Sequence, residues 1–344
     1  MTSRSPLFLL TIARLRLFFR EPSAVFWSFG FPILLTIALG IAFRNKPPEP
    51  VIAGIEAGPG AEAVRAALEA EGQVRAKLLE PEQTLAALRT GKVAIVVRPG
   101  TPRGYQFDPT RPESRLARAV VDDLLQRADG RRDPTPVTDT PVTEPGSRYV
   151  DFLLPGLIGM NIMSSGMWGI GYVIVEDRTR KLLKRMLATP MKRSHFLLSF
   201  VLMRVLFLAI ELPVLLLFGW LAFSITIRGS VLLLGLLTLL GAFAFSGLGL
   251  LVASRARNTH AVTGLINLVM MPMFILSGVF FSSANFPAVM QPFIKVLPLT
   301  ALIDGMRAII NEGAGVATIA PQAGILAATA VVTFLAAVRL FRWS

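Results

Sequence analysis

Residues 23–43, SAVFWSFGFPILLTIALGIAF, hold no charged side chain. At about 1.5 Å per helical residue such a run reaches across the ~30 Å hydrocarbon layer of a bilayer. Further apolar runs follow at about 150–175, 197–225, 231–253, 261–281 and 318–338. No other feature restricts the fold so severely, because a backbone crossing hydrocarbon must satisfy its own N–H and C=O groups, and runs of this length do so as helices. The expectation is a mainly α, polytopic membrane protein with six transmembrane helices. Composition agrees, with 53% of the 344 residues hydrophobic and 17% charged and a mean hydropathy of +0.59, outside the usual range of soluble domains. The chain has no Cys, which excludes disulfides, thiolate metal sites and Cys nucleophiles.

The formal net charge is +13, a balance that raises nucleic acid as a partner. Its distribution says otherwise. Between Arg44 and Arg148 acidic and basic residues nearly cancel, and the excess cations flank the apolar runs. Arg4, Arg14, Arg16 and Arg20, then Arg178 through Arg193, Arg255 and Arg257, and Arg339 and Arg342 fall on one side of the expected membrane, against Arg228, Lys295 and Arg307 on the other. Cations concentrate in short cytoplasmic loops, so both termini are expected in the cytoplasm and the long insert outside, with membrane lipid and no nucleic acid as the surroundings.

Residues 1–22 mix Leu7, Phe8, Leu10, Ile12, Leu15, Phe18 and Phe19 with Arg14, Arg16 and Arg20, a pattern for a helix lying in the interface rather than a cleaved signal peptide. After the first span at 23–43, residues 44–148 form the one long polar stretch, read as a small external α/β domain inserted between spans one and two. Strands are expected at 51–55, 73–80 and 92–99, and helices at 61–72, 81–91 and 111–130, followed by a Pro-rich linker from Arg131 to Pro145. Residues 149–344 carry spans two to six, with two short interfacial helices expected within 284–314, where Pro and polar residues interrupt an apolar segment.

Nucleotide-binding, zinc-protease and serine-hydrolase motifs are absent from the sequence, and its histidines, His195 and His260, lie at expected helix ends. The chain is therefore read as a non-enzyme with no metal site and no cofactor of its own. Its most informative polar segment is 176–196, EDRTRKLLKRMLATPMKRSHF, read as a helix over 176–190 ended by Pro190. Leu182, Leu183, Met186 and Leu187 share one face, and Arg178, Lys181, Lys184 and Arg185 populate the rest. Such a helix can lie on the membrane, insert its ridge into a partner's groove, or serve only as a positive-inside loop.

Within the spans, Glu211 is a carboxylate in hydrocarbon, either a functional group or one hydrogen-bonded to a neighbouring helix, with Pro213 close by. Asn161 and Asn267 are read the same two ways. Met160, Met163 and Met167 form a stripe suited to varied amphipaths or to ordinary packing. Gly235, Ala242, Ser246, Gly249 and Ala253 make a small-residue face for helix packing. Asp304 and Arg307, one turn apart, are expected to pair locally.

Four stretches in order, FREPSAVFWSFGFPILL, YVDFLLPGLIGMNIM, EDRTRKLLKRMLATPMKRSHFL and LSGVFFSSANFPAVMQPFIKVLPLTALIDGMRAII, resemble the transmembrane permeases of type-two ATP-binding-cassette exporters, of the branch with a large external domain after the first span. The resemblance implies an elbow helix at the start and a coupling helix in the third stretch. Glu176, Asp177, Arg178, Lys181, Lys184, Arg185, Thr189 and Pro190 would dock that helix in a cytosolic ATPase that uses ATP and Mg. It also implies a second permease copy, identical or not, a bacterial inner-membrane location, and export of a drug-like or lipid-like amphipath by alternating access, with Asn161, Met163, Glu211 and Asn267 as candidate pathway residues. The rival reading is a membrane receptor or assembly scaffold with an external sensing domain. An ion channel is disfavoured, since no pore-filter pattern occurs.

Overall fold

A computed structural model describes residues 6–42, 50–132, 135, 148–182, 193–256 and 258–340. The chain divides into two compact units, Met1–Arg44 with Val142–Ser344, and Asn45–Pro141.

The first unit is helical. Helix α1 (Pro6–Arg20) stops at Glu21, whose backbone is extended, and Pro22 opens α2 (Pro22–Val25). Proline cannot continue a helix but its fixed φ suits the first helical position. From α2 the chain passes through a π-helical turn, Phe26–Gly30, into α3 (Phe31–Ala42). Three of the later elements also run together, α7 (Tyr149–Gly166), a second π turn at Met167–Tyr172 and α8 (Val173–Thr179). Then come α9 (Arg193–Phe223), α10 (Val231–Arg255), α11 (Thr259–Leu276), the short α12 (Gln291–Val296), α13 (Pro298–Glu312) and α14 (Val316–Leu340). Ser230 and Asn258 cap α10 and α11 by accepting from Leu233 N and Ala261 N. Gly313, at φ 69°, ends α13 in the left-handed conformation that favours glycine.

Among the described residues five helices are long and apolar enough to cross a membrane: Tyr149–Thr179, Leu202–Phe223, Val231–Arg255, Thr259–Leu276 and Val316–Leu340. The first expected span is a shorter apolar helix, Phe26–Ile41. Helix α10 forms the centre of this unit, packing on α7, the second π turn, α13 and α14. Its small residues allow close contact. A Cβ on Gly249 would sit 2.8 Å from the Gly166 carbonyl oxygen, and one on Gly166 would sit 2.8 Å from the Phe245 Cβ. Ala242 and Ala253 are fully buried with them, as are Met163 and Met167.

The second unit is a four-stranded sheet in the order β2-β1-β3-β4, built from β1 (Val51–Glu56), β2 (Val74–Leu79), β3 (Ile95–Arg98) and β4 (Gly104–Phe107). β1 runs parallel to β2 and β3, and β4 is antiparallel to β3. α4 (Ala61–Glu69) and α6 (Pro112–Ala128) bury Val64, Leu68, Val121 and Leu125 with Ile55 and Val97 in one core, and α5 (Thr84–Arg89) contributes Ala87 to a smaller core with Val93 and Val96. β4 is absent from the sequence-based expectation. Its four residues, GYQF, lie between Pro102 and Pro109 with too little alternation to register as a strand.

Candidate functional site

The segment expected to couple the chain to a partner begins differently from its sequence-based reading. The helix that carries Glu176, Asp177 and Arg178 is the end of the Tyr149–Thr179 span and not a separate element over 176–190. It closes with Arg180 N donating to Glu176 O at 2.9 Å and Lys181 N to Arg178 O at 3.0 Å, and Lys181 turns the chain at φ 58°. A left-handed residue here ends a helix as a C-terminal glycine does, which is why the expected single helix is broken. Leu182 is helical again. Lys184, Arg185, Thr189 and Pro190 lie outside the described residues.

Arg178 is committed inside the protein. Its Nη1 donates to the carbonyls of Ala253 at 3.2 Å and Ala256 at 3.1 Å, at the C-terminal end of α10. Ala253 O is among the last carbonyls of that helix, which lack intrahelical donors, Ala256 is its C-terminal cap, and a cation there also complements the helix dipole. Glu176 pairs with Arg180 at 2.7 Å, and Arg180 and Lys181 are exposed. The end of the Tyr149–Thr179 helix is thus tied to the C-terminal end of α10, with exposed cations just beyond the anchor.

Of the four candidate pathway residues, three are buried and one is exposed. Met163 is fully buried in the helical core. Asn161, 6% exposed, donates from Nδ2 to Ser28 O at 2.7 Å, inside the first π turn. Glu211, 1% exposed, forms a buried ion pair with Arg204 of the same helix, Nη1 to Oε2 at 3.3 Å. Its partner is a side chain two turns away and not a carbonyl freed by Pro213. Asn267 alone of the four is exposed, on the α11 face that also presents Gly264, Leu268 and Met271.

Arg204 is a buried cation that the sequence reading missed. It lies within an apolar run, where it marks no loop and so escapes a topology count. A signal was available, because residues seven apart share a helix face, and the pair 204/211 meets that spacing.

A second cluster forms at the opposite end of the unit. Arg307 lies only loosely against Asp304, at 3.9 Å. Its main partners are carbonyls: Phe152 O accepts from Nε at 3.2 Å and Nη2 at 2.9 Å, and Gly278 O accepts from Nη2 at 2.6 Å. The guanidinium also stacks over the Phe152 ring, 3.6 Å from its centroid. One turn on, Asn311 Nδ2 donates to Asp151 O at 3.2 Å. That carbonyl would ordinarily accept from residue 155, which is a proline without an N–H, so Asn311 supplies the missing donor. The expected local Asp304–Arg307 pair is therefore a minor part of a clasp joining α13, α7 and the end of α11. Among the described residues no group of three or more His, Asp and Glu side chains converges on a metal-sized site.

Residues 22–339 match the ABC-2 family transporter protein family. The chain is similar to ABC transporter G family member 20 of Dictyostelium discoideum, 27% identical over 179 residues covering 52% of this chain and 24% of that protein. It is similar also to the linearmycin resistance permease protein LnrN of Bacillus subtilis strain 168, 27% identical over 186 residues, 51% of this chain and 46% of that one. A third relative is the probable multidrug ABC transporter permease YbhS of Escherichia coli K12, 22% identical over 163 residues, 47% of this chain and 43% of that one. Each match spans less than half of the relative's own length. With several membrane-spanning helices and a family match running almost from end to end, the chain belongs to the ABC-2 family of transporter proteins as a membrane permease.

Proposed function

We propose that this chain is the permease subunit of an ATP-driven exporter in a bacterial inner membrane, moving a drug-like or lipid-like amphipath out of the cytoplasm by alternating access. ATP and Mg are used by separate cytosolic ATPase chains, and a second permease copy completes the transporter. The observation that carries this reading is the anchor of Arg178 on Ala253 and Ala256 at the mouth of the 180–192 segment. A push on that segment is delivered to spans two and four together, which is what a coupling device must do. The names of the linearmycin-resistance and multidrug relatives support an amphipathic substrate. The cation asymmetry supports cytoplasmic termini and an external α/β unit, with Phe26–Ile41 as the sixth span. Of the pathway candidates, exposed Asn267 is the one this reading retains.

The test is co-purification from native membrane in mild detergent, followed by ATPase assay. A cassette ATPase is expected to copurify, and Lys181→Glu with Lys184→Glu to abolish substrate-stimulated turnover while expression holds. Arg178 is left intact, because its loss would uncap α10. Absence of any bound ATPase would favour the receptor reading.

A further inference from the structure

Beside the coupling segment, and resting on the exporter reading for its functional meaning, a second arrangement joins the first three membrane helices. We infer that Asn161, Arg204 and Glu211 are positioning residues that lock these helices into one body, so that motion of the coupling segment is delivered to all three at once.

Two consecutive residues of α7 make the junction. The Asn161 side chain donates to Ser28 O within the π turn of the first helix, and the Ile162 carbonyl accepts from Arg204 Nη2 of α9 at 3.2 Å. The first bond ends within a π turn, Phe26–Gly30, and a second π turn, Met167–Tyr172, begins in the next turn of the helix that carries Ile162. Such turns interrupt the regular helical ladder and recur at functional sites. Beside the junction Phe207 meets Phe18 edge to face at 4.6 Å and Phe29 at a tilt at 5.6 Å, and Arg204 lies over the Phe207 ring at 5.9 Å. The contact therefore spans α1, the first π turn, α7 and α9.

The ion pair is poorly explained as a source of stability. Arg204 is 5% exposed and Glu211 1%, and among the described residues Arg204 Nε and Glu211 Oε1 have no hydrogen-bond partner. Burying two charges with incomplete satisfaction costs desolvation, and apolar residues of similar volume often replace such a pair at no loss. What apolar residues cannot do is donate to a main-chain carbonyl on another helix. Glu211 neutralises Arg204 and fixes its guanidinium, and Arg204 holds Ile162. The 180–192 segment joins the two helices so pinned.

The experiment uses the full chain in vesicles with its ATPase. Glu211→Leu alone strands a charge in the membrane and threatens folding, so the informative variant is Arg204→Met with Glu211→Leu. It is expected to fold and bind the ATPase, but to hydrolyse at least ten times more ATP per substrate moved. Amides of 159–172 should exchange hydrogen at least tenfold faster, while those of α13 and α14 keep their wild-type rates. Arg204→Lys, which retains a donor and the charge, should stay near wild type in both measurements. A wild-type coupling ratio in the folded double variant overturns the inference whatever the exchange shows. If the wild-type chain binds no ATPase, the exporter reading fails by itself and exchange alone decides: faster exchange in 159–172 supports the lock, and unchanged exchange overturns it.

Discussion

Arginine works in opposite ways in the two units. In the sheet unit its partners are chiefly carboxylates at or near the surface: Arg98 on Glu56 at 2.9 Å, Arg118 on Asp122 at 2.9 Å and Arg103 on Asp129. In the membrane unit Arg178, Arg204 and Arg307 reach across to main-chain carbonyls of other helices. Water decides the difference. A solvated cation gains little from a carboxylate that water already screens. Between packed membrane helices the cation has to be satisfied by protein, and the available acceptors are carbonyls at helix ends or beside interrupted ladders. The same residue type thus decorates one unit and fastens the other.

The largest test of that contrast is Arg307→Met. Removing the guanidinium withdraws donors from Phe152 O and Gly278 O and empties the space over the Phe152 ring. Charged hydrogen bonds lost from buried acceptors predict a destabilisation of about 2–4 kcal/mol. It should appear as a clear fall in the thermal unfolding midpoint of the detergent-solubilised chain. Arg98→Ala is the matched test in the other unit, where the Arg98 side chain is 51% exposed. Its predicted cost is roughly 0.2–1 kcal/mol, shrinking further at about 1 M salt, where screening acts within ~3 Å. Equal losses from the two variants would end the distinction between fastening and decoration.

Sequence reasoning reached what depends on local pattern and stopped where a partner is distant. The five long spans were legible within a few residues because uncharged length is a local property, and the α/β alternation of the insert was legible for the same reason. The break at Arg180 and Lys181 was not, since RTRKLL contains no Gly, Pro or Asn to announce a left-handed residue. Arg178 was readable as a cation near a membrane surface, but its acceptors are 75 and 78 residues away in sequence. Asn161 and Glu211 were identified as unusual polar groups within spans, yet the side chains and carbonyls they serve come from other turns and helices. Their chemistry was visible and their partners were not.

In the sheet unit a polar cluster around Tyr105 is partly shielded from water, and it offers the mildest but most direct extension of the contrast. Tyr105 Oη donates to Asp122 Oδ1 at 2.9 Å, Gln126 donates to Asp122 Oδ2 at 3.0 Å, and Arg118 covers the Tyr105 ring at 4.4 Å. Burial, then the bond to Asp122, pushes the Tyr105 hydroxyl up to about 12. Burial works against ionised Asp122, but hydrogen bonds from Arg118, Tyr105 and Gln126 outweigh it and hold the carboxyl below its usual range. For Tyr105 the folded value lies above the unfolded one of about 10, so its contribution is complete below pH ~10 and is lost as pH rises through about 12. For Asp122 the sign is reversed: its contribution is present above an unfolded value of about 3.9 and is lost as pH falls through the lower folded one. Tyrosinate absorbance of the full chain, compared with Tyr105→Phe, isolates one of the three tyrosines. The difference should titrate near 12. A midpoint near 10 would mean that water reaches this hydroxyl freely, leaving the sheet unit with surface pairs alone and making the contrast with the membrane unit complete.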